Sequence, residues 1–258
     1  ERMSVKVTPE MVKQLRERTG VGMGKCKEAL DQAGGDINGA IDLLRKAGMA
    51  SAVKKEGRET NEGLIASGES KGAVSLVEVN AETDFVTQNE KFKQFMADVA
   101  QEVAESKPTS VEALMAQPFS KDPSITLDQQ RSLVIQSLGE NIQVRRLTVI
   151  PKSSALSVGI YSHMGGKIVC AVVLTGGEGQ EALARDIAMH VAAESPDYLA
   201  PSDVPQSVRD KEAEIARSQI QGKPENMIEK IVEGKIKAFC DQVCLLNQKY
   251  VRDNAVTI

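Results

Sequence analysis

The chain has 258 residues, of which 41% are hydrophobic, and its 32 basic and 36 acidic side chains leave a net charge of −4. That length accommodates two domains, while the charge balance and the lack of basic runs interleaved with aromatics argue against direct nucleic-acid binding. With no apolar run of about eighteen residues and no signal-peptide pattern at the N-terminus, we expect a soluble cytoplasmic protein rather than a membrane or exported one.

The N-terminal segment predicts a small bundle of helices. The first helix is capped by Thr8, has Pro9 at its first position and ends at Gly20. A second helix follows in "GKCKEALDQAGG", and a third is capped by Asp36 and closed by Gly48. The charged, Gly-containing stretch that follows is typical of a linker.

Beyond the linker, one pattern of two strands and a helix occurs twice in the sequence. "GLIASGESKGAVSLVEV" and "GIYSHMGGKIVCAVVL" each predict two strands joined by a tight turn. A helix follows each pair, ending at Ser106 in the first copy and at Ser195 in the second. The sequence therefore predicts a repeated ββα unit.

The two copies differ in length around Phe85. The first copy has about five extra residues between its second strand and its helix, in or around "ETDFVTQNEK". Insertions of this kind lie on the surface, and Asp84 beside the ring disfavours burial of the segment. We therefore expect Phe85 to point outward, although a lid folded back on its own core is the alternative.

Two further regions complete the chain. A helix is predicted from Asp128 to Leu138, and a strand from Ile142 to Ile150. Near the C-terminus two helices flank Gly222–Pro224, and the second carries a narrow apolar seam. This pattern predicts an antiparallel helical hairpin, whose seam is satisfied internally or by a second copy of the chain in a homodimer.

Motifs for bond-making chemistry are poorly supported. "TGVGMGKC" lacks residues that a phosphate loop requires, and "GGEGQEA" is interpreted as a turn and helix start. Of the two histidines, His190 lies on a mostly apolar helix and is expected to pack, whereas His163 lies in an exposed turn. Cys240 and Cys244 are expected to be small buried residues, and neither a metal site nor a cofactor is predicted.

The sequence resembles the elongation factor Ts family, the guanine-nucleotide exchange factors of elongation factor Tu. Four motifs carry the resemblance: "LRERTGVGM" (Leu15–Met23), "TDFV" (Thr83–Val86), "GENIQVRR" (Gly139–Arg146) and "IAMHVAA" (Ile187–Ala193). The resemblance implies an α+β fold with a ubiquitin-associated-like three-helix bundle, then a core of two related subdomains with antiparallel sheets, and a protruding helical hairpin. The corresponding ranges are 5–50 for the bundle, 51–62 for the linker, 63–145 and 146–258 for the subdomains, and 201–244 for the hairpin.

The resemblance also implies the site residues. It places the "TDFV" loop beside the magnesium ion and nucleotide of elongation factor Tu, which assigns Thr83, Asp84, Phe85 and Val86 to dislodging that ion. Further contacts with the partner are implied for Arg16, Met23, Leu138, Gly139 and His163.

The implied function is that of a translation factor, not an enzyme. It promotes GDP release from elongation factor Tu, binding the GDP-bound and nucleotide-free forms and allowing GTP to rebind. The alternatives are a passive docking module without effect on nucleotide exchange, and a nucleotide-using transferase built on the Gly-rich turns. Long family members continue after the hairpin with a further strand and a helical module, and "VRDNAVTI" stands near where that stretch would begin.

Overall fold

The computed structural model describes residues 6–258, and these divide into two compact units. The first unit contains the described residues up to Ser153 together with Met164–Ile168. The second contains Ser154–His163 and Val169–Ile258. The domain ranges expected from the sequence stay a prediction, and residue 5, where the first of them begins, lies outside the described residues.

The first unit opens with helices α1 (Pro9–Thr19), α2 (Met23–Gln32) and α3 (Ile37–Lys55). The side chain of Thr8 accepts a hydrogen bond from the Met11 amide (3.3 Å), as an N-cap should. Gly20 ends α1 in the left-handed conformation, with φ of 69°, which glycine adopts without strain. Both predicted ends of the first helix are confirmed.

The third helix is longer than the sequence indicates. We expected Gly48 to close α3, and this is wrong, because the helix continues to Lys55. Gly48 is a packing position: a Cβ atom there would lie 3.3 Å from the carbonyl oxygen of Ser132 in a neighbouring helix. The missing side chain therefore allows α3 and its neighbour to approach each other. Helix α3 also includes residues 51–55, which the sequence assigns to the linker.

The sheet of the first unit has the order β1-β2-β5 and is antiparallel, with β1 at Glu62–Glu69, β2 at Ala73–Ala81 and β5 at Ile142–Pro151. A single turn of helix, α4 (Asp84–Thr87), follows β2. Helix α5 (Glu90–Ser106) packs against the sheet and buries Phe92 completely. Burying such a ring contributes about 1.5–3 kcal/mol, so α5 is a main source of core stability.

Short elements that the sequence did not reveal precede the next long helix. They are α6 (Val111–Met115), β3 (Pro118–Phe119) and β4 (Asp122–Thr126). Helix α7 (Leu127–Leu138) then begins with a reciprocal capping box between Thr126 and Gln129. It starts one residue before the predicted position and ends at the predicted one.

The ββα repeat is confirmed. The second copy consists of β6 (Leu156–His163), β7 (Ile168–Thr175) and α8 (Glu181–Glu194). In both copies the helix passes close to a glycine of the first strand. A Cβ atom would lie 2.3 Å from the Ala100 carbonyl oxygen at Gly68, and 2.1 Å from the Arg185 amide nitrogen at Gly159. Each helix therefore lies directly on the strand backbone.

The predicted helical hairpin is present in the second unit. It consists of α9 (Gln206–Ser218) and α10 (Glu225–Val243). Val232 of the predicted seam is buried against Ala213 and Ala216 of α9. The seam is thus covered at this point within the chain, while a homodimer through the hairpin stays a prediction.

The base of the hairpin contains the two neighbouring cysteines. Cys240 and Cys244 are both buried and share a small apolar cluster with Val204. Burial raises the pKa of the Cys244 thiol, because the thiolate would lose its hydration. Both cysteines are therefore the small core residues that the sequence predicts.

His190 of α8 has the packing role expected from the sequence. Its ring is completely buried, and its Nδ1 accepts a hydrogen bond from the Val251 amide (3.1 Å). Since Nδ1 accepts, Nε2 carries the proton and donates to Oε1 of Gln248 (2.9 Å). The imidazole thereby attaches the terminal hairpin of β8 (Lys249–Tyr250) and β9 (Asp253–Thr257) to α8.

We expect His190→Ala to lower the free energy of unfolding by about 2 kcal/mol, because it leaves buried polar partners unpaired. Urea denaturation followed by circular dichroism measures this change. His163→Ala is the matched control, since His163 is exposed and its loss should leave the midpoint unchanged. Equal midpoints for the two variants would contradict the assigned role of His190.

Within residues 6–258, no helix is long and apolar enough to cross a lipid bilayer.

Candidate functional site

The candidate site begins with the Phe85 turn, which we define as residues Thr83–Thr87. The sequence predicts a loop here, but the structure has a single helical turn capped by Thr83, whose hydroxyl oxygen accepts from the Val86 amide (3.5 Å). Val86 and Thr87 are buried, whereas the Phe85 side chain is 85% exposed. The outward orientation expected for Phe85 is confirmed, and the ring stands on a well-anchored support.

Exposure of this ring is unfavourable for the isolated chain. Leaving a phenylalanine in water forgoes about 1.5–3 kcal/mol that burial would contribute. Asp84 beside it is also exposed, and its backbone carbonyl accepts a hydrogen bond from the Thr87 hydroxyl (2.8 Å). The turn therefore presents an apolar ring and a carboxylate side by side at the surface.

Two glutamates that the sequence analysis did not single out hold the turn in place. The carboxylate of Glu140 accepts hydrogen bonds from the Thr83 amide (3.0 Å) and the Thr83 hydroxyl (2.6 Å). A second hydrogen bond has the carboxylate on the other segment: Glu82, directly before the turn, accepts from the backbone amide of Asn141 (2.7 Å). The available signal was an acidic residue directly before "TDFV" (Glu82) and another inside "GENIQVRR" (Glu140), but spacing along the chain does not pair the two segments.

A lysine joins three helices near the turn. Lys91, in the first turn of α5, donates to the carbonyl oxygen of Gly20 and to the hydroxyl of Ser137 (2.7 Å). Ser137 in turn donates to the same carbonyl (2.9 Å). The C-terminal ends of α1 and α7 and the start of α5 therefore meet at one point of the first unit.

Four of the residues implied as further contacts lie on helices of the first unit or at their ends. Arg16 is exposed in the last turn of α1, and Met23 is 55% exposed at the first position of α2. Leu138 is half-buried at the end of α7, and Gly139 caps that helix with φ of 82°. The structure places these four residues on elements of the first unit, as it does the Phe85 turn.

His163 belongs to the second unit. It is exposed at the end of β6, and its Nδ1 lies 3.2 Å from the Tyr161 hydroxyl. The two rings stack with centroids 6.0 Å apart, and the Arg185 guanidinium lies 5.8 Å from the centre of the Tyr161 ring. Tyr161 thus contacts the histidine directly, while Arg185 packs on the Tyr161 ring, a contact that the sequence did not reveal.

Within residues 6–258, no group of three or more His, Cys, Asp or Glu side chains is arranged to hold a metal ion. Burial raises the pKa of the Cys26 and Cys170 thiols, which disfavours the nucleophilic thiolate. The glycines between β7 and α8 form the turn that the sequence predicts, with positive φ angles at Gly176, Gly177 and Gly179.

The fold and the site define the class of protein: an α+β factor with an N-terminal helical bundle and two ββα units, whose candidate site is an exposed surface. The family model described as Elongation factor TS matches residues 82–258. The chain belongs to the elongation factor Ts family and is thus a translation elongation factor.

Relatives support this assignment over almost the whole chain. The chain is 57% identical to "Elongation factor Ts" of Protochlamydia amoebophila, over 98% of this chain and 89% of the relative. It is 47% identical to "Elongation factor Ts" of Chlamydia trachomatis serovar L2, over 96% of this chain and 88% of the relative. The protein of the same name from Chlamydia felis is 46% identical over the same shares. The resemblance noted from the four motifs is therefore confirmed.

Proposed function

We propose that this chain is a guanine-nucleotide exchange factor for elongation factor Tu and that the Phe85 turn performs the exchange. The turn enters the partner near its magnesium ion and nucleotide, GDP leaves, and GTP rebinds. The observation that carries this proposal is the 85% exposure of Phe85 on an anchored turn in a chain of the elongation factor Ts family. An aromatic ring of this kind becomes an anchor when a partner covers it.

Phe85 and Asp84 have complementary roles in this proposal. The ring wedges between elements of the partner, while the Asp84 carboxylate perturbs the hydration shell of the magnesium ion. A factor that binds the nucleotide-free partner more tightly must weaken nucleotide binding by the same ratio. GDP and GTP therefore compete with the factor for the same partner.

The ring by itself is too small to account for exchange. Accelerating release about a thousandfold means lowering the barrier by roughly 4 kcal/mol. Burial of one phenylalanine supplies about 1.5–3 kcal/mol. The remainder comes from the other proposed contacts, which are Thr83, Val86, Arg16, Met23, Leu138, Gly139 and His163.

The decisive experiment is release of fluorescent GDP from elongation factor Tu, with excess unlabelled GDP, in the presence and absence of this chain. We expect release to accelerate with chain concentration and to saturate. Binding without acceleration would support the passive docking module instead. Equilibrium dialysis of labelled GDP against the chain alone tests the nucleotide-using enzyme, and retention of GDP there would favour that alternative.

A further inference from the structure

Glu140 is hydrogen-bonded to the first residue of the Phe85 turn. Its carboxylate accepts from both donors of one residue, the amide (3.0 Å) and the hydroxyl (2.6 Å) of Thr83. The same hydroxyl oxygen accepts from the Val86 amide at 3.5 Å. A continuous chain of hydrogen bonds therefore runs from Glu140 through the N-cap of the turn to the residue after Phe85.

A second contact joins the same two segments, with the carboxylate now on the segment of the Phe85 turn. The Glu82 carboxylate accepts from the Asn141 amide (2.7 Å). Asn141 is 1% exposed, and its side-chain amide donates to the backbone carbonyls of Glu56 (3.3 Å) and Arg58 (2.8 Å). We call the four residues Glu82, Thr83, Glu140 and Asn141 the carboxylate clamp. It ties the residues before Phe85 to the segment after α7 and to the chain that leaves α3.

The physical need for such a clamp follows from the exposure of the ring. The free energy of the isolated chain falls if the segment shifts so that apolar surface of the same chain covers the exposed phenylalanine ring. Hydrogen bonds to a carboxylate are stronger than those between neutral groups, and a turn with both Thr83 donors engaged has little freedom to shift. The ring is then presented to the partner without an ordering cost at the moment of binding.

We propose that Glu140 is a positioning residue for nucleotide exchange: through Thr83 it holds the Phe85 ring in the orientation that acts on the partner. This inference rests on the proposed function. Glu140 acts on the step that follows docking, because the docked complex is also held by contacts outside the turn. Its loss therefore lowers the maximal exchange rate more than the affinity of the factor.

The test is Glu140→Gln, which keeps the size of the side chain but places an NH₂ group against one of the two Thr83 donors. Fluorescent GDP release from elongation factor Tu is measured over a series of factor concentrations. We expect the maximal rate to fall about fivefold and the half-saturating concentration to change less than twofold. Glu105→Gln is the matched control at the far end of α5, and its rates should equal those of the unmodified chain.

A double variant separates positioning from a general loss of structure. In a Phe85→Ala background, Glu140→Gln should slow exchange no further, because the ring through which it acts is gone. An unchanged maximal rate for Glu140→Gln, or equal slowing with and without the ring, would overturn the inference. Unchanged exchange by Phe85→Ala alone would remove the ring from the proposed mechanism and would overturn this inference, whereas no acceleration of GDP release by the unmodified chain would overturn the proposed function itself.

Thr83→Val is a second variant, which tests the inference even if Glu140→Gln destabilises the chain. It removes the hydroxyl, which donates to Glu140 and accepts from the Val86 amide, and leaves the contact of the Thr83 amide with Glu140 in place. We expect it to lower the maximal rate about twofold, with an unchanged circular dichroism spectrum. A maximal rate equal to that of the unmodified chain would contradict the role given to the clamp.

Discussion

Phe85→Ala is expected to lower the maximal rate of GDP release about tenfold to a hundredfold. The reason is that the variant loses the apolar wedge, which supplies about 1.5–3 kcal/mol when the partner covers it. The free energy of unfolding should stay the same, because 85% of the side chain already faces solvent. Stopped-flow release of fluorescent GDP and urea denaturation measure the two quantities.

Val53→Ala is the control for this experiment. Val53 is 71% exposed on α3 and lies outside the proposed contacts, so truncating it removes apolar surface without touching the Phe85 turn. Its exchange rate should equal that of the unmodified chain. If Phe85→Ala exchanges nucleotide as fast as Val53→Ala, the wedge has no part in the reaction.

Gly159→Ala is expected to destabilise the second unit by about 3 kcal/mol or more. The added Cβ atom would lie 2.1 Å from the Arg185 amide nitrogen, so β6 and α8 must move apart. The contact is between backbones, and no side chain can rotate to relieve it. Thermal unfolding followed by circular dichroism should show a clearly lowered midpoint.

Gly234→Ala makes the same chemical change with the opposite expected sign. Gly234 lies inside α10, and a Cβ atom there would meet nothing within 4 Å. Alanine favours a helix over glycine by about 0.5–1 kcal/mol, so this variant should be slightly more stable. Equal midpoints for Gly159→Ala and Gly234→Ala would show that β6 and α8 do not approach as closely as described.

Local chemistry made much of the fold predictable from the sequence. Thr8, Asp36 and Gly20 identify helix ends because capping involves residues only a few positions apart. The ββα units were recognisable because a repeated pattern of strands and helices does not depend on distant partners. Exposure of Phe85 followed from the extra length of one copy.

The sequence-based predictions were wrong where segments distant in the chain meet. Gly48 was expected to end α3, but it permits the approach of α7, whose Ser132 is far away in the sequence. The Phe85 segment was expected to be a loop, but it forms a helical turn with its Thr83 bound to Glu140. Neither contact has a local signal, because each depends on which segments the fold brings together.

The sequence by itself determined the family, the repeated unit, the capped helix starts at Thr8 and Asp36 and the outward-facing ring, since each follows from a motif or from residues close together in the chain. Only the tertiary structure decided how that ring is supported. Lys91 reaches Gly20, and Glu140 reaches Thr83, across long stretches of chain. The physical reason is that a carboxylate or an ammonium group binds whichever donor or acceptor lies near it in space, and folding alone determines that neighbour.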